Sequence, residues 1–99
     1  MPYLVLCNDS FDGETLRNQY LQEHLKYIED VLGKICVAGP TIKFGDQYSG
    51  SCFIYKTDEL ASAKKLLEND PYHMRGVYKS CSFVRFVPAA GNWIGGVTW

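Results

Sequence analysis

The stretch from Glu14 to Leu32 constrains the fold of this chain more than any other part of the sequence. Its apolar side chains recur with the period of an α-helix and fill one continuous half of the helical wheel, whereas the other half is polar. Such a helix is stable only when its apolar half covers another apolar surface. The chain must therefore supply a sheet or a second helix. The apolar positions are Leu16, Tyr20, Leu21, Leu25, Tyr27, Ile28, Val31 and Leu32.

Strand-like segments on both sides of this helix provide that surface. Short runs rich in strand-forming residues occupy 2–8 (PYLVLCN), 34–42 (KICVAGPTI), 51–56 (SCFIYK) and 78–87 (YKSCSFVRFV). A second amphipathic helix is indicated at 57–69 (TDELASAKKLLEN), which ends before a proline. The order β-α-β-β-α-β predicts an α+β, ferredoxin-like fold in which one antiparallel sheet carries both helices on one face.

The other face of this sheet has no helix to cover it. Its strands are too apolar to face water, so we expect two such sheets to pack together in a homodimer. The length indicates a single domain over residues 1–99, with 88–99 as a C-terminal extension. Because the extension holds Trp93, Ile94 and Trp99, we expect it to be ordered, either over a pocket or against the partner subunit.

Charge and cysteine usage exclude several functional classes. The 10 Lys and Arg residues nearly balance the 11 Asp and Glu residues, with no basic stripe, so nucleic acid is not an expected partner. No apolar run reaches membrane-spanning length and the first ten residues do not resemble a signal peptide, so we expect a cytoplasmic protein that does not contact membranes. The four cysteines lack ligand spacing and no phosphate-binding loop is present, which predicts neither metal nor cofactor.

Two polar residues interrupt the apolar half of the first helix. Arg17 and His24 are one heptad apart and lie near the centre of the stripe, where side chains should point at the sheet. A buried guanidinium without a partner lowers stability by roughly several kcal/mol, and a buried imidazole also needs partners for its nitrogens. The helix is therefore expected to cover a polar pocket or specific hydrogen-bond acceptors.

The loop "NDPYHMRGVY", residues 69–78, offers the missing acceptor. Asp70 is the candidate partner for His24, and Pro71 holds it in an extended conformation. A carboxylate beside His24 would orient the ring for general acid–base catalysis and leave Arg17 for an anionic or carbonyl group of a ligand. Tyr72 is interpreted mainly as a packing residue whose hydroxyl lines the pocket. The alternative is that His24 is simply a core histidine with satisfied nitrogens.

Several motifs together resemble the YCII-related (YciI-like) proteins of the dimeric α+β barrel superfamily. They are R-x6-H-L-x2-I from Arg17, A-G-P at 38–40, Gly50, and D-P-Y-x3-G-x-Y at 70–78. The resemblance covers residues 2–87. It implies a homodimer with a pocket between sheet and helices in each subunit, and a His–Asp pair that maps to His24 and Asp70 as catalytic residues.

On the same resemblance, the residues expected to bind substrate are Arg17, Tyr72, Gly39 and Pro40. Some family members remove chloride from a hydroxylated ring, which implies a small enzyme without a cofactor, acting on a cyclic or aromatic compound by elimination or isomerisation. The alternative is a non-catalytic dimeric module that binds a small ligand or another protein through the same pocket. Fold membership alone does not separate the two.

Overall fold

The computed structural model describes residues 2–98, which form an antiparallel sheet with helices packed on one of its faces. The elements are, in chain order, β1 (Tyr3–Asp9), α1 (Gly13–Gln19), α2 (Leu21–Asp30), a 3₁₀ turn (Leu32–Lys34), β2 (Ile35–Thr41), β3 (Gly50–Tyr55), α3 (Leu60–Glu68), α4 (Pro71–Met74), β4 (Tyr78–Arg85), β5 (Ala90–Gly91), a second 3₁₀ turn (Asn92–Ile94) and β6 (Gly96–Val97).

The four long strands lie in the order β2-β3-β1-β4, and every neighbouring pair is antiparallel. The apolar core lies between this sheet and the helices. Residues of β1 and β3 that point the same way, such as Val5 and Phe53, contact Leu67 of α3 and Ile28 of α2 within one cluster. This arrangement confirms the predicted α+β, ferredoxin-like architecture.

The predicted continuous first helix is instead two helices. Tyr20 departs from helical geometry, with φ −109° and ψ 17°, and separates α1 from α2. Backbone hydrogen bonds still run from Tyr20 N to Leu16 O and from His24 N to Tyr20 O, both at 3.0 Å. Because these bonds keep the helical register across the break, Arg17 and His24 still point to the same side.

The segment after α3 contains one helical turn, α4, where the sequence suggested an irregular loop. Pro71 is its first residue, and Asp70 is its N-cap, with φ −72° and ψ 127°. Asp70 Oδ1 accepts a hydrogen bond from Tyr72 N at 2.9 Å. Proline at the first helical position and a carboxylate at the cap are both favourable, so this turn is locally well specified. The extended conformation predicted for Asp70 is present.

The sheet face opposite the helices, called the open face below, is apolar. Leu4 pairs with Ile54 on β3 and with Val84 on β4, and Leu6 lies two residues further along β1 on the same side. Leu6 is 46% exposed and Val84 is 55% exposed. No helix within residues 2–98 is long and apolar enough to cross a lipid bilayer.

The C-terminal extension forms a small hairpin, β5 and β6, in place of a frayed tail. It lines a cavity of about 510 Å³ together with Val37, Ile54 and Phe86, and none of its described residues borders the cavity next to His24. Trp93 remains 87% exposed in the single chain. The expectation that the extension closes over the pocket is therefore not met by its described part, and Trp99 lies outside the described residues.

Candidate functional site

His24 and Asp70 are joined by a short hydrogen bond. The distance from His24 Nδ1 to Asp70 Oδ1 is 2.7 Å. Asp70 is fully buried, and the side chain of His24 is 14% exposed. Because an ionised carboxylate can only accept, Nδ1 carries the hydrogen of this bond, and in the neutral ring Nε2 retains its lone pair. The predicted contact between the helix and the loop is thus present in the structure.

Tyr72 fixes the plane of the His24 ring. The two rings are stacked, with centroids 3.8 Å apart and planes 1° from parallel. The Tyr72 hydroxyl donates to the backbone carbonyl of Arg17 at 2.9 Å, and the residue is only 2% exposed. Burial, the largest influence, raises the pKa of the Tyr72 phenol. Tyr72 therefore supports His24 from behind, and its position does not favour the predicted contact with substrate.

Arg17 has a partner that the sequence interpretation missed. Its Nε lies 2.8 Å from Asp9 Oδ2 and its Nη2 lies 2.9 Å from Asp9 Oδ1, which is a bidentate ion pair. The two side chains are 8% and 9% exposed. Burial acts to lower the pKa of Arg17, but the hydrogen bonds and charge of Asp9 outweigh it, so the pKa lies above its ordinary value. Arg17 is thus largely neutralised and not free to hold a ligand anion by its full charge.

Two glycines allow the chain to approach this ion pair closely. A Cβ on Gly13 would lie 2.7 Å from Asp9 Cβ, and a Cβ on Gly50 would lie 2.1 Å from the carbonyl oxygen of Cys7. The carbonyl oxygen of Gly50 also accepts from Arg17 Nη2 at 2.7 Å. The close approaches explain why glycine is needed at both positions. The turn pair Asp12-Gly13 was the available signal that Asp9 folds back toward the helix.

Aromatic rings and a buried serine surround the guanidinium of Arg17. Its Cζ lies 5.7 Å from the ring centroid of Tyr48, 5.3 Å from that of Tyr72 and 5.8 Å from that of Tyr78. Nη2 donates to Ser51 Oγ at 2.9 Å, and the Tyr78 hydroxyl donates to the same oxygen at 2.9 Å. Burial raises the pKa of Tyr78. The phenols of Tyr72 and Tyr78 therefore remain neutral hydrogen-bonding groups at physiological pH.

A cavity of about 190 Å³ lies between α2 and the sheet, next to this cluster. Of the predicted site residues, Arg17, His24, Gly39 and Pro40 border it, whereas Asp70 and Tyr72 lie behind His24. Ser51 borders it as well, although sequence interpretation did not single it out. The remaining wall is apolar and consists of Leu25, Ile28, Ala38 and Phe53. The cavity thus has one polar end and one apolar end, as is usual for a small-molecule site.

The fold and this site together define a class of protein: a ferredoxin-like α+β domain with a cavity between sheet and helices, and beside it a histidine bonded to a buried aspartate. A family model of the YCII-related domain matches residues 1–87. The chain belongs to the YCII-related family, and the resemblance noted in the sequence is confirmed. The matched residues stop at the start of the C-terminal extension.

A solved structure agrees with this assignment. The chain is similar to 5-chloro-2-hydroxyhydroquinone dehydrochlorinase (TftG) from Burkholderia phenoliruptrix AC1100, in complex with 2,5-dihydroxybenzoquinone. The TM-score is 0.81 and the identity is 26%, over 93% of this chain and 97% of that one. TftG is a YciI-like protein of the dimeric α+β barrel superfamily. Among curated proteins, a search finds no significant match to this chain.

Proposed function

We propose that this protein is a small acid–base enzyme that acts without a cofactor on a compound with a single oxygenated ring, by elimination or isomerisation. The observation that carries the proposal is the hydrogen bond from His24 Nδ1 to the buried Asp70, which leaves the lone pair on Nε2 of a side chain that borders the cavity. A YciI-like dehydrochlorinase as structural neighbour supports an enzyme acting on a small molecule.

The proposed chemistry needs only one group that moves protons. In its neutral form, His24 accepts a proton from a ring hydroxyl through Nε2, and the electron pair of that O–H bond forms a carbonyl. The ring carbon that gains electron density then takes a proton from the imidazolium, which gives the keto tautomer and returns His24 to its starting form. When the protonated carbon itself carries chloride, the chloride leaves with the electron pair of the C–Cl bond. A second ring hydroxyl conjugated with that carbon then gives its proton to His24 Nε2, which passes it to water, and the electron pair of that O–H bond forms the second carbonyl of a quinone. Asp70 stabilises the imidazolium and holds the ring in place throughout.

The size and lining of the cavity set the proposed substrate class. An engineered apolar cavity of about 150 Å³ is sufficient to bind benzene, so about 190 Å³ accommodates one ring with small substituents. The apolar wall favours the ring itself, whereas His24, Arg17 and Ser51 are positioned for its oxygen substituents. Gly39 and Pro40 are proposed to contact the ring because they border the cavity from β2.

The proposed role of Arg17 differs from that of an isolated cation. Its bidentate pair with Asp9 removes most of its net charge at the cavity. We therefore propose that Arg17 polarises a carbonyl or phenolate oxygen and holds Ser51 in place, and that it does not select for a carboxylate. A polarising group of this kind stabilises the negative oxygen that develops during proton transfer.

Chloride release from 5-chloro-2-hydroxyhydroquinone tests the proposal, with ion chromatography as the detection method under anaerobic conditions. The unmodified protein is expected to release chloride faster than buffer, and His24→Asn is expected to reduce the rate to that of buffer while the fold is kept. A matched control is His73→Asn, since this histidine does not border the cavity and should be dispensable. Binding of the ring without turnover would favour a non-catalytic binding module instead.

A further inference from the structure

We infer that the hydroxyl group of Ser51 donates a hydrogen bond to a carbonyl or anionic oxygen of the ligand in the cavity next to His24. The inference rests on the proposed function for its ligand class, and on the structure alone for its geometry. Ser51 is only 4% exposed and borders the cavity with His24 and Arg17. It is thus a buried polar residue at the polar end of an otherwise partly apolar space.

The hydrogen bonds that Ser51 already accepts determine whether its hydroxyl hydrogen is free to bind a ligand. A serine hydroxyl has two acceptor sites and one donor hydrogen. Arg17 Nη2 lies 2.9 Å from Ser51 Oγ and can only donate, and the Tyr78 hydroxyl donates to the same oxygen at 2.9 Å. With the Tyr78 hydroxyl as the donor, both acceptor sites of Ser51 Oγ are occupied, and apart from the Tyr78 oxygen no acceptor is seen for the Ser51 hydrogen among residues 2–98.

Two donors on one hydroxyl also make that hydroxyl a stronger donor. Hydrogen bonds in a chain polarise one another, and the Arg17 donor is charged. Arg17, whose charge is mostly neutralised by Asp9, thus still polarises the Ser51 hydroxyl. Through this hydroxyl, part of its positive charge acts on the cavity. A donor held in advance at the position where negative charge develops is the arrangement that stabilises an oxyanion.

The position of Ser51 in the sheet makes the donor rigid. It follows Gly50 in β3, pairs with Cys7 on β1 and with Pro40 on β2, and so belongs to a strand that is bonded on both sides. Rigid elements place a functional group more accurately than loops do. Ser51 and His24 approach the same cavity from the sheet and from α2, and a ring between them meets a donor and a proton acceptor.

Calorimetric binding of two ring compounds to the intact chain tests this inference. The anionic probe is 2,5-dihydroxybenzoquinone, and the uncharged probe is hydroquinone. For Ser51→Ala, we expect the Kd of the anionic probe to rise by about 10- to 100-fold and that of hydroquinone by less than about 10-fold, because hydrogen bonds to charged groups are the stronger ones. Ser62→Ala, in α3 and away from this cavity, should change neither Kd.

Each other outcome has a defined meaning. An unchanged Kd in Ser51→Ala, or an equal rise for both probes, overturns the inference, since an equal rise indicates loss of packing alone. If Ser51→Ala unfolds, Ser51→Cys keeps the volume with a weak donor, and the same selective loss is expected. If the unmodified protein binds the anionic probe yet never releases chloride, the enzyme proposal fails and the Ser51 inference remains. If it binds neither probe, both fail.

Discussion

At the scale of single residues, Asp70 connects the local fold to the site. The same oxygen, Oδ1, accepts from His24 Nδ1 at 2.7 Å and from Tyr72 N at 2.9 Å. The first bond orients the histidine, and the second caps α4 and so fixes the tyrosine stacked on that histidine. One carboxylate oxygen thus determines both the position and the plane of the imidazole.

The variant Asp70→Asn is expected to remove the negative charge beside His24 while keeping both hydrogen bonds. Because Oδ1 accepts both bonds, the new amide oxygen takes its place and still accepts from Tyr72 N and from His24 Nδ1, so the tautomer is unchanged and the NH₂ group takes the place of Oδ2. The fold is kept, and turnover falls by about 10²-fold or more, because a neutral amide does not stabilise the imidazolium. The ¹⁵N NMR shifts of the His24 ring check the tautomer, and chloride release measures turnover. Full activity in Asp70→Asn would show that the charge of Asp70 does not support proton transfer by His24.

The ion pair of Arg17 and Asp9 is expected to contribute strongly to stability. Arg17→Met leaves the carboxylate of Asp9 buried and unpaired, which costs about 3–5 kcal/mol of unfolding free energy. Arg75→Met is the matched control, because Arg75 lies 3.7 Å from Glu23 and both side chains are about half exposed, so its loss costs about 1 kcal/mol or less. Urea denaturation measures both. Equal effects of the two substitutions would contradict this assignment.

At the scale of elements, the sequence predicted the strands well and the helix ends less well. All four long strands lie within two residues of their predicted bounds, because they alternate and are delimited by turn residues. The break at Tyr20 has no sequence signal, since the apolar stripe continues through it. Helix α3 begins at Leu60, three residues after the predicted start at 57. Its N-cap is Glu59, whose backbone N–H is bound by Thr57 Oγ1.

Site residues could be predicted where they interrupt a local sequence pattern. Those brought together only by strand pairing were missed. Arg17 and His24 stood out as polar residues in an apolar stripe, and Asp70 as a carboxylate before a proline. Asp9 and Ser51 lie at the ends of strands, where polar residues are ordinary, so nothing local marked them. Their role depends on the pairing of β1 with β3, which brings Asn8 opposite Gly50.

Gly50 is expected to tolerate no side chain. In Gly50→Ala the new Cβ would lie 2.1 Å from the Cys7 carbonyl oxygen, so the backbone that binds Arg17 must move. A loss of about 1–3 kcal/mol or more in unfolding free energy is expected, as for other overpacked sites. Gly33→Ala is the control, because nothing lies within 4 Å of its Cβ position. Thermal unfolding compares them, and a Gly50→Ala variant as stable as Gly33→Ala would contradict the role given to this contact.

At the scale of the whole molecule, the apolar open face predicts a partner that covers it. Apolar side chains of this face, such as Leu6 on the central strand β1 and Val84 on the edge strand β4, are about half exposed in the single chain. When such a face packs against a partner, a small domain buries much more of its apolar surface. We therefore expect a homodimer in which two open faces pack together, and in which the C-terminal extension, with its exposed Trp93, lies near the second subunit.

Sedimentation velocity at low micromolar concentration tests the dimer. The unmodified chain is expected to sediment as a dimer, and Val84→Lys to sediment as a monomer, because a buried unpaired ammonium is costly. Leu32→Lys is the matched control, since Leu32 is 61% exposed and lies in the turn after α2, away from the open face. A monomeric unmodified chain, or a Val84→Lys variant that remains dimeric, would rule out this interface.

The central claim, that His24 moves protons for a ligand in its cavity, is tested most directly by deuterium exchange. In D₂O without oxygen, the unmodified protein is expected to incorporate deuterium into the ring carbons of 2-hydroxyhydroquinone faster than buffer does, because ketonisation adds a proton to carbon. His24→Asn should lower the rate to that of buffer while its circular dichroism is unchanged. Exchange no faster than in buffer, or exchange that persists in His24→Asn, would contradict the claim.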